Sequence, residues 1–455
     1  MEEEPTKYRI GDPGVRALFS EKSRIQSWLD VEVALAVAQA DLEIIPRAAA
    51  KEIKDKAKFE NLNMGNIHEG LVRTGHSLVP TIWELDRICE NNLGGYIHWG
   101  ATTQNITQTG KLLQVKKAHN IFLQQLADLL AILARLAYQT KDMSLPGRTH
   151  GQHAVPATYG YKISVWIDEL CRHVNRMQAC EERVFLAMLG GGAGTLASLG
   201  RIGLDVQSRM AKTLDLSPMP MPSRVIGDHI VEYVSLLGML AATGSKMARE
   251  VYTQMKDEFG EVEENVPPGT VGSSTMPQKR NPKLSREIVG AAATVRSLVP
   301  LAMEGMQTEH EADHTTEIML EHSLEQSCII TGDILQRLIL LFDGLKVFPE
   351  RMRRNLDLSG GLIMSEAIML ELGKYLGRQR AHDIVYEAAQ EAFVSNIPFK
   401  DVLRNIKEIS EYLDDEQIDD ILDPSSYTGV SSYFAERGSD QAKEMSEKLI
   451  SDISH

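Results

Sequence analysis

Four stretches without proline decide most of what this chain can fold into. They run between Pro80 and Pro146, Pro156 and Pro218, Pro222 and Pro267, and Pro300 and Pro349, each more than 40 residues long. Proline removes an amide donor and clashes with the preceding helical turn, so long proline-free stretches with apolar residues at helical spacing argue for long helices. The clearest stripe is Leu112, Val115, Phe122, Leu126, Leu129, Leu133 and Leu136, with Lys111, Lys116, Gln124, Gln125, Asp128 and Arg135 on the opposite face. A second run covers about 229–262, from Ile230 and Val231 through Leu236, Leu237 and Leu240 to Met247 and Val251. A helix of about 30 residues spans about 45 Å. Several such helices need one another to bury their stripes, which predicts an elongated bundle. Aromatic residues are only 6% of the chain, and no alternating run is bounded by hairpin turns. The fold class expected is therefore all-α in the main. Short helices and loops fill 1–110, the long-helix bundle fills 111–355, and shorter charged helices, one near 380–393, fill 356–455.

Composition narrows the partners. With 455 residues, 43% apolar and 24% charged, the chain has material for a large core. No run of 18 uncharged apolar residues occurs, which argues against a membrane span. The start, Met1-Glu2-Glu3-Glu4-Pro5, lacks the apolar region of a secretory signal. Cys89, Cys171, Cys180 and Cys328 are scattered without CxxC spacing and read as reduced thiols, so a cytoplasmic protein is expected. The net charge of −15, from 48 basic and 63 acidic residues, disfavours a nucleic-acid partner but allows a local cationic pocket for a small anion.

Three polar, glycine-containing segments interrupt the bundle pattern. They are Ile97–Asn105 (IHWGATTQN), Gly147–His153 (GRTHGQH) and Pro267–Pro282 (PPGTVGSSTMPQKRNP). Loops on a rigid scaffold are where binding chemistry concentrates, and the third has the composition of a segment that orders over a bound anion. His310-Glu311-Ala312-Asp313-His314 matches the H-E-x-x-H zinc pattern, but Glu309 and Thr315 are poor flanks and no third ligand is evident. The bland reading is an acidic helix face, and no metal or other cofactor is assigned. His119, His173, His322, His382 and His455 read as structural. His98 and His150, each in a Gly/Thr loop, divide evenly between catalytic and structural readings. Ser273-Ser274 is no nucleophile elbow, and Gly190–Thr195 lacks the ending of a phosphate loop, which leaves a turn or close packing.

Gly272-Ser273-Ser274-Thr275-Met276-Pro277-Gln278-Lys279-Arg280-Asn281-Pro282 resembles the GSSxMPxKxN loop of the fumarase/aspartase superfamily. GRTHGQ at 147–152 and HWGATT at 98–103 stand in the expected order before it. The segment from Asp12-Pro13 to Ile44-Ile45-Pro46, Gly194–Leu199 and Asn355–Ala367 resemble bacterial 3-carboxy-cis,cis-muconate cycloisomerases. GRTHGQ is similar to adenylosuccinate lyase. The resemblance, extending over most of the chain, implies a three-domain helical subunit and a homotetramer whose active sites are each shared between three chains. It also implies reversible anti elimination of a fumarate-like diacid from a small dicarboxylate substrate. By motif matching, Ser273 is the base, assisted by Lys279; His150 is the acid; and His98 supports it. Thr102, Thr103, Thr149, Gln152, Asn281, His76 and Arg224 hold substrate, together with Ser274 and Met276 of the loop.

Departures from the family pattern bear on the substrate. The usual T-S-x-D reads Thr102-Thr103-Gln104-Asn105 here, and the glutamate expected seven residues after the loop lysine is replaced by Arg286, with Glu287 one step on. That step rotates the side chain by about 100°. Arg224 stands where the family has a glutamine, which predicts an additional acidic group on the substrate. No Lys or Arg occurs between Arg296 and Arg337, where Glu304, Glu309, Glu311, Asp313, Glu317, Glu321, Glu325 and Asp333 lie, and the opening Arg-Tyr of adenylosuccinate lyases survives only as Arg9-Ile10. A phosphate is repelled by such a stretch. The expectation is a lyase releasing fumarate from a non-nucleotide N-succinyl-type compound, C–N cleavage ahead of C–O. Carboxymuconate cycloisomerase is the alternative, though His150 replaces that enzyme's tryptophan. Adenylosuccinate lyase comes after it. A non-enzymatic, crystallin-like role is disfavoured by the retained motif residues.

Overall fold

The computed structural model describes residues 10–454; the acidic N-terminal run, Arg9 and His455 lie outside the described residues. The chain is mainly helical, as the long proline-free stretches require. The long helices up to residue 343 are α1 (Glu21–Asp41), α2 (Thr103–Gln139), α3 (Tyr159–Val184), α4 (Asp228–Gln254), α5 (Lys283–Glu304) and α6 (His314–Asp343). Shorter helices follow, among them α7 (Ser365–Leu376) and α8 (Arg378–Ser395), before a final α9 (Ser431–Ser454). Ser20 caps α1 by accepting the Ser23 amide at 3.3 Å, with Glu21 in the first turn, where the helix dipole favours a negative charge. α4 stops at Gln254, short of the expected 262, in a turn closed by Gly260 at φ +60. Pro300 lies inside α5, near its end, so this proline at the edge of one of the four stretches does not end a helix.

The chain divides into two compact units. The first comprises Met1–Gln125, His173–Ala242 and Gly290–Gln336; the second comprises Leu126–Arg172, Thr243–Val289 and Arg337–His455. In the first unit Phe122 of α2 and Val15 pack so closely on Gly332 of α6 that a Cβ there would lie 2.7 Å from Val15. Gly238 of α4 meets Val299 of α5 in the same way, at 2.8 Å. In the second unit Trp166 of α3 packs on Phe342 of α6 with ring centroids 5.6 Å apart. There too, Ile368 and Leu372 of α7 and Val385 and Ala388 of α8, at spacings of three and four, close around Phe399 and Leu403.

Every residue of the predicted α2 stripe is buried. The polar face is not uniformly wet, however. Lys111 and Gln125 are also buried, Lys111 paired with Glu325 at 2.8 Å and Gln125 donating to the Gly332 carbonyl at 3.1 Å. Periodicity finds the most apolar side of a helix but not how many neighbours surround it. By length and composition α2 could cross a membrane, yet 61% of its apolar window is buried within the protein, where its hydrophobicity serves the core.

Strands are few, but one hairpin was not foreseen. β1 (Ser144–Thr149) and β2 (Gln152–Thr158) pair antiparallel and enclose the GRTHGQ segment. Pro146 faces Pro156 and a bulge follows Pro146, so neither strand carries an alternating pattern.

Candidate active site

The first unit contains a cavity of about 750 Å³ whose wall includes His76, Thr102, Thr103 and Arg224. Four of the residues expected to hold substrate thus share one enclosure, although they span 149 positions of sequence. Thr102 and Thr103 sit where α2 begins, at the positive end of a 37-residue helix, which suits a carboxylate. The expected aspartate is Asn105, fully buried, and its single Oδ1 accepts the amides of Thr102 at 3.1 Å and Gly191 at 3.0 Å. This ties the glycine run to the helix start, as a turn beside the site. Its Gly192 carbonyl accepts from Arg224 Nη1 at 3.0 Å, while Arg224 Nε donates to Gln104 at 2.8 Å. The guanidinium is therefore held in place by protein contacts on two of its nitrogens.

His76 has a defined tautomer. Its Nδ1 accepts the backbone amides of Leu78 at 3.3 Å and Val79 at 3.2 Å, so the ring proton resides on Nε2, 3.3 Å from Thr103 Oγ1. His98 does not line this cavity. It adopts φ +64, and its Nδ1 lies 2.6 Å from Glu32, a buried residue of α1 that sequence reasoning did not single out. No spacing rule connects residues 32 and 98. The clue available was an acidic residue flanked by apolar neighbours in α1.

The acidic stretch after α5 turns out to face the cavity. Asp313, Glu317, Glu321 and Glu325 line it, against Arg24, Lys111 and Arg224. Lys111 is committed to Glu325, and His314 lies 2.9 Å from Glu317. Burial first, then repulsion by Glu317 and Glu325, raises the Glu321 carboxyl above the usual range, with Lys111 opposing. The H-E-x-x-H run is not helical: His310 sits in a turn at φ +53, and only His314 enters α6. Its two histidines therefore do not share a helical face, and the acidic-helix-face reading fails for the same reason. Among the described residues no group of three or more His, Cys, Asp or Glu is arranged to hold a metal.

The second unit holds the other motif residues. Thr149 and Gln152 are paired ends of the hairpin, and His150 and Gly151, at φ +52 and +76, form its two-residue turn. Positive φ at both positions is the type I′ geometry that continues strand twist. Thr149, His150 and Gln152 are exposed at this tip. The hairpin is anchored behind them. Arg148 forms a two-pronged pair with fully buried Glu261, which also accepts from Asn355 at 2.8 Å and Gln254 at 3.2 Å. Burial, and then the Arg148 charge, lowers the pKa of neighbouring His153.

In the 267–282 loop, Ser273 Oγ accepts the backbone amides of Met276 at 3.1 Å and Thr275 at 3.3 Å. Asn281 donates to the Gly272 carbonyl, so its amide nitrogen holds the loop base. Ser274, Met276 and Lys279 are exposed, and the Lys279 ammonium has no partner among the described residues. Buried Glu264 accepts the amides of Leu284 at 3.0 Å and Ser285 at 2.8 Å, fixing the start of α5 where the loop ends. The one-step shift after the loop lysine has a clear outcome. Glu287 turns inward to buried Arg337 at 3.4 Å, and Arg286 is half exposed. Glu287 is thus committed to the interior, and a cation occupies the outward position.

Comparison with known proteins agrees with these motifs. Residues 7–297 match the lyase family, and residues 361–437 match the adenylosuccinate lyase C-terminus. Adenylosuccinate lyase of Methanocaldococcus jannaschii is 37% identical over 430 residues, 94% of this chain and 93% of that protein. N-acetyl-S-(2-succino)cysteine lyase of Dickeya dadantii is also 37% identical, over 420 residues and 92% of each chain. Among solved structures, 3-carboxy-cis,cis-muconate lactonizing enzyme of Pseudomonas putida superposes with a TM-score of 0.89 at 31% identity, over 97% of this chain and 100% of that one. With the serine loop, the histidine turn and the threonine-headed helix all present, the chain belongs to the fumarase/aspartase superfamily of lyases.

Proposed function

We propose that this enzyme catalyses anti elimination of fumarate, or a fumarate-like diacid, from a non-nucleotide succinyl-type substrate, with C–N cleavage favoured over C–O. The observation that carries the reading is the Ser273 cradle. A serine hydroxyl is a poor base, but hydrogen bonds to its charged form favour ionisation, and two loop amides already point at Oγ. As an alkoxide Ser273 removes the proton beside a carboxylate, and the negative charge spreads into that carboxylate. His150 then protonates the departing atom. Thr102, Thr103, the His76 Nε2–H and Arg224 bind carboxylates at the positive end of α2, and removing one such donor costs ~10²–10³ in rate. Among the described residues no hydrogen bond joins His150 to Ser273. Each site is completed by neighbouring subunits of a homotetramer, with Lys279, Ser274, Met276, Asn281, Thr149 and Gln152 contributed at the junctions and His98 supporting the acid.

The cavity wall supports a substrate without a phosphate. Asp313, Glu317, Glu321 and Glu325 oppose a phosphate there. A second reading, adenylosuccinate cleavage, is favoured by the 37% identity to the M. jannaschii enzyme, and the D. dadantii relative brings a thioether into consideration. The cycloisomerase reading is less favoured because an ionisable His150 suits a leaving group that needs a proton. Purified protein should be offered N-succinyl amino acids, adenylosuccinate, N-acetyl-S-(2-succino)cysteine and 3-carboxy-cis,cis-muconate, with fumarate followed by ultraviolet absorbance and lactone by chromatography. Turnover of an N-succinyl compound, abolished in Ser273→Ala and His150→Asn, is expected. Turnover of adenylosuccinate alone would overturn the non-nucleotide assignment, and full activity in both variants would overturn the residue roles.

A further inference from the structure

We infer that Glu32 is a positioning residue for His98, fixing the imidazole with its proton on Nδ1 and presenting the Nε2 lone pair as a proton acceptor. The catalytic consequence rests on the reading that His98 belongs to the machinery proposed above; the tautomer does not. Glu32 lies in the interior of α1 with its side chain 3% exposed. Both hydrogen bonds found to its carboxylate come from one residue. Oε2 accepts the His98 backbone amide at 3.1 Å, and Oε1 lies 2.6 Å from His98 Nδ1. Among the described residues no lysine or arginine pairs with it.

A carboxylate withdrawn from water must be hydrogen-bonded, and when ionised it only accepts. The ring hydrogen therefore belongs on Nδ1. The same carboxylate restrains the main chain, because His98 occupies the left-handed region at φ +64, uncommon for a residue with a Cβ. One side chain thus sets both the turn and the ring. The neighbouring loop holds the opposite case, His76, whose Nδ1 accepts two amides and whose Nε2 is the donor. The two imidazoles are built with reversed polarity, His76 to give a hydrogen bond and His98 to accept one. A proton arriving at His98 Nε2 leaves the Nδ1–H hydrogen-bonded to Glu32, and the resulting imidazolium is paired with a carboxylate, so His98 can take up a proton in support of the acid while Ser273 remains the base.

The test is two-bond ¹H–¹⁵N correlation NMR on ¹⁵N-histidine-labelled full-length protein, with His98 assigned from the spectrum of His98→Asn. The expected pattern is Nδ1–H for His98. In Glu32→Gln the single side-chain oxygen serves only one of the two donors. With the backbone amide retained, the carboxamide NH₂ faces Nδ1 and the ring proton moves to Nε2. With a turned-over succinyl substrate, kcat should fall about 10²-fold, the scale of a lost acid–base group, with KM changed less than about threefold and partial recovery in Glu32→Asp. A native His98 protonated on Nε2 would overturn the inference even if the variants fail to fold. So would an unchanged tautomer and kcat in Glu32→Gln. If no succinyl compound is turned over, the proposed function falls, and the NMR pattern alone decides the role of Glu32.

Discussion

Gly272→Ala tests the serine loop without touching any side chain in it. A Cβ built on Gly272 would sit 1.8 Å from the Lys279 carbonyl oxygen. Carbon and oxygen in ordinary contact need roughly 3.3 Å, well above that spacing, so one side of the loop must move by more than about 1 Å. The same carbonyl neighbourhood is tied by Asn281 donating to Gly272 and by Lys283 donating to Val271 at 2.8 Å. Displacement there swings Ser273 away from the amides of Thr275 and Met276. A misplacement of about 1 Å in a reacting group costs on the order of 10²-fold in rate. The fold should survive, because the loop is largely exposed and Glu264 holds the start of α5 independently. The assay is fumarate release under saturating succinyl substrate, with thermal melting alongside. A kcat reduced about 10²-fold with Tm within about 3 °C of the parent is expected. Turnover within twofold of the parent would refute the claim that loop geometry sets the base, as would a collapse in Tm that accounts for the loss.

Three further perturbations probe the scaffold. Glu261→Ala strands Arg148 and releases Asn355 and Gln254, and should destabilise by about 3–5 kcal/mol in urea unfolding, the range for breaking a buried pair. His229, buried with neither ring nitrogen hydrogen-bonded, has its pKa lowered by burial to about 4. The unfolded chain takes up the proton first, so its stability contribution is full above about pH 6.5 and lost as pH falls to about 4. His229→Leu should remove that loss and stabilise by about 1–3 kcal/mol at pH 5, read from melting curves. Glu84, holding Arg87, Asn66 and the Asn63 amide, has its carboxyl lowered to about 2, chiefly by the Arg87 hydrogen bond. Its contribution is full above about pH 4.5 and lost toward pH 2, and Glu84→Gln should flatten the stability profile across that window.

Much of the architecture was legible because helical spacing and missing prolines are local properties. The α2 stripe and the helix near 380–393 follow from them directly. The hairpin carrying His150 was not legible. Its turn is His-Gly rather than Asn-Gly, and its strands hold prolines opposite each other, so the local signal for β structure is suppressed. The H-E-x-x-H run misled for the converse reason. Its spacing is helical, but α6 begins only at its last residue.

The amino-acid sequence by itself determined which side chains the chemistry has available: a serine loop, two histidines in glycine-rich segments, and threonines at the head of a long helix. Their kinds and order are properties of the polymer. Tertiary structure alone decided what each one faces. It turned the acidic stretch after α5 toward the cavity, sent Glu287 inward to Arg337, and set Glu32 against His98 across 66 positions of chain. Hydrogen bonds and charge pairs act over a few ångströms in space, and separation along the chain carries no information about that distance.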